Sequence, residues 1–328
     1  MRLHGQLQRR SVLQLLGSGL AGSLVASGFS AVSAQGRPQV KIGYQRFTDL
    51  DIIRGRGELD TLVQSKGGTT EWIFFQSGPP MLEALNAGAV NFGGVGDTPP
   101  VFAQAAGTQF YYVAKTPRGP LTQDIVVPKD SKIQSPADLK GKKVALQRGS
   151  SAHYLLIQVL QENNISPKDV EVVSLSPSDA RAAFEQGNVD AWSIWDPFLA
   201  VVESTGIARN LKVGRERNTF FLASRSFAET QPGLLQAILT AAKENEQWSS
   251  QNTLALAKKF APELNIAVEV LAKANDRRQW GLFPITPAVI ETQQKVADTL
   301  FKAEIIPQQI VVREATLPPE KYAQVFPA

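Results

Sequence analysis

Small polar residues, prolines and glycines gather at four places where a predicted strand gives way to a predicted helix. These junctions are residues 76–79 (Gln-Ser-Gly-Pro), 96–99 (Gly-Asp-Thr-Pro), 148–151 (Arg-Gly-Ser-Ser) and 176–179 (Ser-Pro-Ser-Asp). The start of a helix offers unpaired backbone N–H groups and a partial positive charge, so four starts around one cleft predict an anion site. Ordinary helix capping is the alternative for any single junction. The binding residues predicted at these junctions are Ser77, Gly78, Asp97, Thr98, Gly149 and Ser150.

Arg181 is the predicted charged partner of the anion. It lies in the first turn of its helix, and a guanidinium can pair with two oxygens at once. A salt bridge to Asp179 or Glu185 is the alternative role for this side chain. His153, one turn into its helix, is a second candidate donor to the anion, and a capping or packing histidine is the alternative there.

Two acidic residues and a tryptophan complete the predicted site. Asp97 and Asp196 each precede a helix, and we expect them to act as N-caps, because a free carboxylate in the cleft repels an anion. Trp192 and Trp195 are three residues apart at the end of a strand. We expect Trp192 to lie in the core and Trp195, next to Asp196, to form the wall that meets an apolar ligand tail.

Short apolar runs alternate with helical patterns along the chain, which predicts an α/β fold with a largely parallel sheet. After Phe220–Ala223 the strand signals stop and helical patterns dominate. The predicted strands are 40–44, 71–75, 90–95, 110–114, 125–127, 143–146, 170–175 and 191–194. The predicted helices are 50–64, 79–87, 99–106, 152–163, 178–186, 197–204, 233–250, 253–260, 267–275 and 287–303.

An internal repeat at an offset of 99 residues predicts two similar lobes. Ser77, Gly88, Val90 and Asp97 match Ser176, Gly187, Val189 and Asp196 without a gap. We expect the chain to cross between the lobes near Gly119–Gln123 and to return near Asn218–Ala223. The predicted lobes are residues 38–120 with 222–328, and residues 121–221.

The first 34 residues are predicted to be an export signal. They carry Arg2, Arg9 and Arg10 and no acidic residue, then an apolar stretch that ends in small residues before a cleavage site near Ala34. The paired arginines resemble a twin-arginine signal, and an ordinary secretory signal is the alternative. Without this segment the chain has 31 basic and 30 acidic residues, so its charge gives no indication of nucleic-acid binding.

The count of chemically reactive side chains excludes several functions. The chain has no cysteine and two histidines, of which only His153 remains after the predicted signal is removed. We therefore expect no disulfide, metal site or cofactor, and no multi-histidine catalytic centre. Dinucleotide and P-loop motifs also fail, since Pro99 and Pro136 stand where glycines are needed. An enzyme is the less favoured alternative to a binding protein.

At these residues the sequence resembles the periplasmic aliphatic-sulfonate-binding proteins of ABC importers, within the nitrate/sulfonate/taurine-binding group. The matching stretches are 43–45, 75–79, 96–107, 139–145, 149–156, 179–184 and 189–197. The sequence departs from the group at Asp97, where a glutamate is expected. The resemblance implies a two-lobed periplasmic-binding-protein fold of type II, with a ligand cleft between two α/β lobes.

The resemblance also implies what the protein binds and where it works. It adds Gln45 to the predicted ligand-binding residues and implies that the sulfonate oxygens sit on the junction residues named above. It further implies a periplasmic protein that delivers its ligand to an ABC permease of the inner membrane, a role that a monomer suits. Taurine, nitrate and other small organic anions are the alternative ligands, and taurine would need a free carboxylate in the cleft for its ammonium group.

Overall fold

The computed structural model describes residues 37–327, and the predicted export signal lies outside them. The residues from Arg37 onward form one compact unit. Within residues 37–327 no helix has the length and apolar character needed to cross a membrane.

The first sheet has five strands in the order β2-β1-β3-β10-β4. Strand β1 runs parallel to β2 and β3, whereas β10 runs antiparallel to β3 and β4. The carboxyl ends of β1 and β3 therefore meet at one edge of the sheet. The strands are β1 (Gln39–Tyr44), β2 (Thr69–Phe74), β3 (Phe92–Gly96), β4 (Phe110–Arg118) and β10 (Arg217–Ser224).

The second sheet repeats this plan in the order β7-β6-β8-β5-β9. Strand β6 is parallel to β7 and β8, and β5 is antiparallel to β8 and β9. In each sheet four strands thus run in the same direction and one, β10 or β5, runs opposite to its two neighbours. The expected largely parallel sheet is therefore a mixed one, with two parallel and two antiparallel strand pairs. The strands are β5 (Gln123–Pro128), β6 (Lys143–Leu146), β7 (Glu171–Ser174), β8 (Ala191–Trp195) and β9 (Ala208–Asn210).

The helices follow most of the predicted patterns. One prediction was wrong: the segment 50–64 forms two helices, because Gly57 adopts a left-handed conformation (φ 78°) that ends the first. Two short helices, Arg225–Thr230 and Pro319–Val325, were not predicted. The helices are α1 (Asp49–Arg56), α2 (Glu58–Ser65), α3 (Gly78–Asn86), α4 (Thr98–Ala105), α5 (Ser151–Glu162), α6 (Pro177–Glu185), α7 (Phe198–Ser204), α8 (Arg225–Thr230), α9 (Pro232–Gln251), α10 (Thr253–Leu264), α11 (Val268–Asp276), α12 (Pro287–Lys302) and α13 (Pro319–Val325).

The repeat predicted from sequence is confirmed by the equivalent elements. Helices α3 and α6 begin 99 residues apart, at Gly78 and Pro177, and strands β3 and β8 begin 99 residues apart, at Phe92 and Ala191. In both copies the helix precedes the strand that lies third from the sheet edge. The two halves of the chain are therefore built on the same local plan.

The crossings between the sheets correct one boundary. The chain leaves the first sheet between Arg118 and Gln123, as predicted, and returns in residues 211–216. The predicted return near Asn218–Ala223 was too late, because Phe220 and its neighbours already pair with β3 and β4 in the first sheet. Their apolar character reflects burial between two strands and gives no sign of a crossing. The lobe boundaries otherwise stay a prediction.

Candidate functional site

A partly enclosed cavity lies where the first sheet, the start of α5 and the end of β8 come together. It includes about 760 Å³ of space free of protein atoms, part of it open to solvent. The lining combines strand ends, helix starts, aromatic side chains and three arginines. The residues are Gln45, Phe47, Thr48, Asp49, Leu50, Gly78, Gly94, Val95, Gly96, Pro99, Arg118, Thr122, Ser150, Ser151, Trp195, Asp196, Arg217, Thr219, Phe220, Phe221 and Arg278.

Four helices begin at this cavity. Thr48 and Ser150, the residues just before α1 and α5, line the cavity. Gly78 and Pro99, in the first turns of α3 and α4, line it as well. The first N–H groups of a helix have no partner within it, and the helix dipole is positive at this end. Pro99 at α4 has no N–H group, so the neutral donors aimed at the cavity come from the starts of α1, α3 and α5.

The N-cap hydroxyl groups at the cavity are not used for capping. Thr48, Ser77 and Ser150 precede α1, α3 and α5, and none accepts a hydrogen bond from the N–H groups of its own helix. Thr48 instead donates to the carbonyl oxygen of Gln45 at 2.8 Å. The hydroxyl oxygens of Ser77 and Ser150 are buried and have no hydrogen-bond partner among residues 37–327. The hydroxyls of Ser77 and Ser150 are therefore free to contact a ligand.

Two of the three arginines are held by Asp49. Arg118 donates from Nη2 to Asp49 Oδ1 at 2.6 Å, and Nη1 of Arg278 lies 3.6 Å from the same oxygen. Burial opposes ionisation of Asp49, but the two guanidinium groups outweigh it and lower its pKa. This ion pair fixes Arg118 and Arg278 at the cavity while leaving an excess of positive charge.

Of the three arginines at the cavity, Arg217 has the fewest hydrogen-bond and ion-pair partners within residues 37–327. Its Nε is buried and has no partner within the described residues. Burial lowers the pKa of Arg217 to about 10, so the guanidinium stays charged at neutral pH. A buried charge without a close partner is costly, and an anion in the cavity relieves that cost. Arg217 also borders a neighbouring cleft that contains Asp97 and Lys115.

Asp196 bonds the first turn of α7 and also meets the cavity, but it is not the predicted N-cap, because Pro197 holds that position. Its Oδ1 accepts a hydrogen bond from the N–H of Ala200 at 3.0 Å and lies 3.4 Å from Nη1 of Arg277. Its Oδ2 is buried without a partner in the described part of the chain. Burial raises the pKa of Asp196 to about 7. The adjacent Trp195 lines the cavity, whereas Trp192 is fully buried in the core, which is the arrangement expected from sequence.

The structure brings together some of the residues predicted from sequence. Of the eleven, the cavity lining includes Gln45, Gly78, Ser150, Trp195 and Asp196. Ser77 lies beside them as the N-cap of α3. Their part in binding stays a prediction, because their position shows only that they surround one space.

Asp97 and Thr98 are used differently from the prediction. Asp97 makes no capping hydrogen bond to α4, so its predicted capping role was wrong. Its Oδ1 instead accepts from the hydroxyl of Thr98 at 2.9 Å, and both residues are buried. The backbone at Asp97 is already helical (φ −66°, ψ −33°), which is not the extended conformation that N-caps adopt.

Gly149 and His153 bind each other. The N–H of Gly149 donates to Nδ1 of His153 at 3.3 Å, so it is not left over for a ligand. Burial lowers the pKa of His153 to about 4, so the ring is uncharged at neutral pH. It packs near Phe102, with ring centroids 6.3 Å apart. His153 therefore packs as the alternative describes. Because Nδ1 accepts, the neutral ring carries its proton on Nε2, and donation from Nε2 to an anion stays a prediction.

Arg181 is not the charged partner that the sequence suggested. Its Nε donates to Glu185 at 2.7 Å on the partly exposed surface of α6, and it is not among the residues that line the cavity. The junction 176–179 is also ordinary, because Ser176 caps its own helix through the N–H of Asp179. The salt-bridge alternative is the correct description of Arg181.

Sequence reasoning missed the three arginines and Asp49. Arg118, Arg217 and Arg278 are far apart in the chain and belong to no short motif. Arg118 ends the strand that leads into the first crossing, and Arg217 begins the strand that follows the second. Their position at the crossings was the available signal, since a cleft between two lobes must lie next to the segments that join them.

The chain is similar in sequence to several known binding proteins. Residues 75–252 match the family model described as NMT1/THI5 like. A putative aliphatic sulfonates-binding protein of Escherichia coli K12 is 36% identical over 93% of this chain and 96% of its own length. The taurine-binding periplasmic protein of the same strain is 28% identical over 68% of this chain and 70% of its own length.

A solved structure extends the similarity to three dimensions. The alkanesulfonate-binding protein SsuA from Xanthomonas axonopodis pv. citri, bound to MOPS, superposes with a TM-score of 0.80 at 34% identity. The superposition covers 86% of this chain and 99% of that protein. All three relatives are named as binding proteins.

Proposed function

The chain belongs to the NMT1/THI5-like family, and on that premise we propose that it is the extracytoplasmic binding component of an ABC importer that captures aliphatic sulfonates. One observation carries the proposal. The unpartnered Ser150 hydroxyl at the start of α5 and the buried Arg217 meet at one partly enclosed cavity. Such a site binds an anion largely through neutral donors and carries little net charge itself.

The polar part of the cavity suits a sulfonate headgroup. Micromolar affinity requires about 8 kcal/mol. Each helix start contributes about 0.3–1 kcal/mol, or about 2 kcal/mol when partly buried. A hydrogen bond to a charged group adds about 1.5–3 kcal/mol. Three helix starts and Arg217 therefore reach the required range only if the cavity also excludes water.

The apolar part of the cavity favours an organic anion over nitrate or sulfate. Phe47, Val95, Phe220 and Trp195 line it together with the polar groups. An alkyl tail against this wall gains about 0.8 kcal/mol per buried methylene. A bare inorganic anion gains nothing from these side chains. The geometry therefore supports a ligand with an anionic head and a short apolar tail.

The same proposal covers location and partners. We propose that residues 1–34 direct export to the periplasm, where the protein closes on its ligand as a monomer and delivers it to an inner-membrane permease. Closure would move the two sheets about the segments 119–122 and 211–216. Catalysis is not part of the proposal, because the relatives described above are named as binding proteins.

Thermal melting of the chain without residues 1–34 tests the proposal. The ligands are ethanesulfonate, butanesulfonate, taurine, nitrate, sulfate and a neutral sugar. A ligand at about a hundred times its Kd adds about 2.7 kcal/mol of stability, which raises the Tm by several degrees. We expect that rise with alkanesulfonates and none with the sugar. If no sulfonate raises the Tm, the proposed ligand class is wrong.

A further inference from the structure

Two carboxylic acids line the cavity, and they differ in how their oxygens are used. Asp49 has both oxygens occupied: Oδ1 accepts from Arg118 at 2.6 Å and Oδ2 accepts from the hydroxyl of Thr116 at 3.0 Å. Asp196 has only Oδ1 occupied, and its Oδ2 is buried without a partner in residues 37–327. Asp196 is therefore the acid with an oxygen to offer to a ligand.

The surroundings of Asp196 leave its charge open to change. Arg277 and the N–H of Ala200 contact Oδ1 and favour the ionised form. Arg278 and Arg217 also attract the negative charge from nearby. Burial and the carboxylate of Glu203 act in the opposite direction. The burial effect is the largest of these, and the pKa is raised to about 7. Both forms are therefore populated at neutral pH.

We propose that the protonation of Asp196 decides which sulfonates the cavity accepts, an inference that rests on the proposed function. When Asp196 is ionised, Oδ2 accepts a hydrogen bond from an ammonium group, so the cavity prefers aminosulfonates, which carry both charges. When Asp196 is protonated, its O–H donates to an oxygen of the ligand, so the cavity prefers alkanesulfonates, which carry only the negative charge.

The two ligand classes then respond to pH in opposite directions. A purely anionic ligand raises the pKa of Asp196, so binding takes up a proton and affinity falls as pH rises. An ammonium group beside Oδ2 lowers that pKa, so binding releases a proton and affinity increases as pH rises. For one linked proton the change approaches about tenfold per pH unit between the pKa of the free protein and that of the complex.

Isothermal titration with butanesulfonate and with 3-aminopropanesulfonate tests this inference from about pH 5.5 to about pH 8.5. The buffers must be free of sulfonates, for example bis-Tris and Tris. We expect the affinity for butanesulfonate to fall and that for the aminosulfonate to rise over this range. Titration in buffers of different ionisation enthalpy should show proton uptake with the first ligand and release with the second.

Asp196→Asn tests the residue itself, because asparagine keeps an oxygen for the N–H of Ala200 but cannot ionise. The variant should lose the opposite slopes and bind the aminosulfonate at least about tenfold more weakly at high pH. Glu246→Gln is the control: Glu246 is a buried acid whose pKa burial raises to about 8, and it does not line the cavity. This control should keep the opposite slopes.

Equal slopes for the two ligands in the wild-type protein would overturn the inference, as would opposite slopes that persist in Asp196→Asn. The proton counts come from the wild-type protein alone, so they decide the question even if the variant does not fold. The failure of the proposed function has a different signature, namely that neither sulfonate binds at any pH.

Discussion

Two sets of helix N-termini differ in what their cap residues do. At α6, α8 and α12 the hydroxyl groups of Ser176, Ser224 and Thr286 accept hydrogen bonds from the N–H groups three residues ahead. At α1, α3 and α5 the equivalent residues make no such bond, and these three helices begin at the cavity. The same residue types therefore stabilise a helix in one place and remain available in the other.

This difference indicates where the protein gives up stability for binding. A side-chain cap contributes about 1 kcal/mol to a helix. A buried hydroxyl without a partner, such as that of Ser77 or Ser150, costs about 1–3 kcal/mol. A ligand that bonds these groups recovers the lost energy. The melting shift proposed above is the direct consequence.

Two arginines are candidates for the charged partner of the ligand, and replacing the correct one by glutamine should have the largest effect on binding. Arg217→Gln removes the buried charge at the cavity, and we expect it to weaken sulfonate binding by about thirtyfold or more, since truncating such a partner costs about 2–5 kcal/mol. Arg181→Gln removes only a surface pair of about 0.3–0.5 kcal/mol and should leave affinity unchanged. Titration calorimetry on both variants decides between them. A large loss in Arg181→Gln would restore the prediction made from sequence.

Gly96→Val tests whether the two sheets must approach each other at the cavity. A Cβ at Gly96 would lie 2.0 Å from the hydroxyl oxygen of Ser151, at the start of α5. We expect the valine to hold the cleft open and to weaken ligand binding by about tenfold, because overpacking costs about 1–3 kcal/mol. The Tm without ligand should change little, since the open form relieves the clash.

Gly233→Val is the matched control for that prediction, because a Cβ at Gly233 has no neighbour within 4 Å. It should leave ligand affinity unchanged. Wild-type affinity in Gly96→Val would mean that the approach of Gly96 to Ser151 does not matter for binding.

Removing one cap hydroxyl from each set tests the comparison itself. Ser150→Ala should weaken ligand binding about fivefold and leave the Tm without ligand unchanged or slightly higher, because its hydroxyl has no partner. Thr286→Ala should lower that Tm by a few degrees, for a loss of about 1 kcal/mol, and leave affinity unchanged. Melting curves give a Tm for each variant, and titrations give a Kd for each variant. If both variants lose stability equally, the two sets of caps are alike and the comparison fails.

The smallest effect is expected at the apolar wall. Trp195→Ala should reduce the advantage of butanesulfonate over ethanesulfonate about threefold, because part of about 1.6 kcal/mol from two methylenes is lost. The ratio of the two Kd values measures this directly. An unchanged ratio would mean that the tail lies elsewhere in the cavity.

The sequence predicted the order of the elements better than their direction. The repeat at 99 residues located α3 and β3 and their counterparts α6 and β8, because glycine at the helix end and the apolar strand are local signals. Strand β10 was recognised as apolar, but its antiparallel position between β3 and β4 was not predicted. Apolar pattern reports burial and carries no information about strand direction.

The candidate site was predictable where it depends on local signals. Gly78, Ser150 and Trp195 were found because helix starts and strand ends are visible in sequence. Arg217 and Arg278 were missed because they reach the cavity only through the return of the chain to the first sheet and the packing of α11. Arg181 was favoured for its position in the first turn of a helix. Sequence could not decide between a salt bridge to Glu185 and a contact with the ligand, because it does not show where the cavity lies.

A crystal structure of the protein with butanesulfonate tests the central claim most directly. We expect sulfonate oxygens within hydrogen-bond distance of the Ser150 hydroxyl and of an N–H group of Arg217, with the alkyl chain against Trp195. A sulfonate bound outside this cavity, with the Ser77 and Ser150 hydroxyls still without partners, would contradict it.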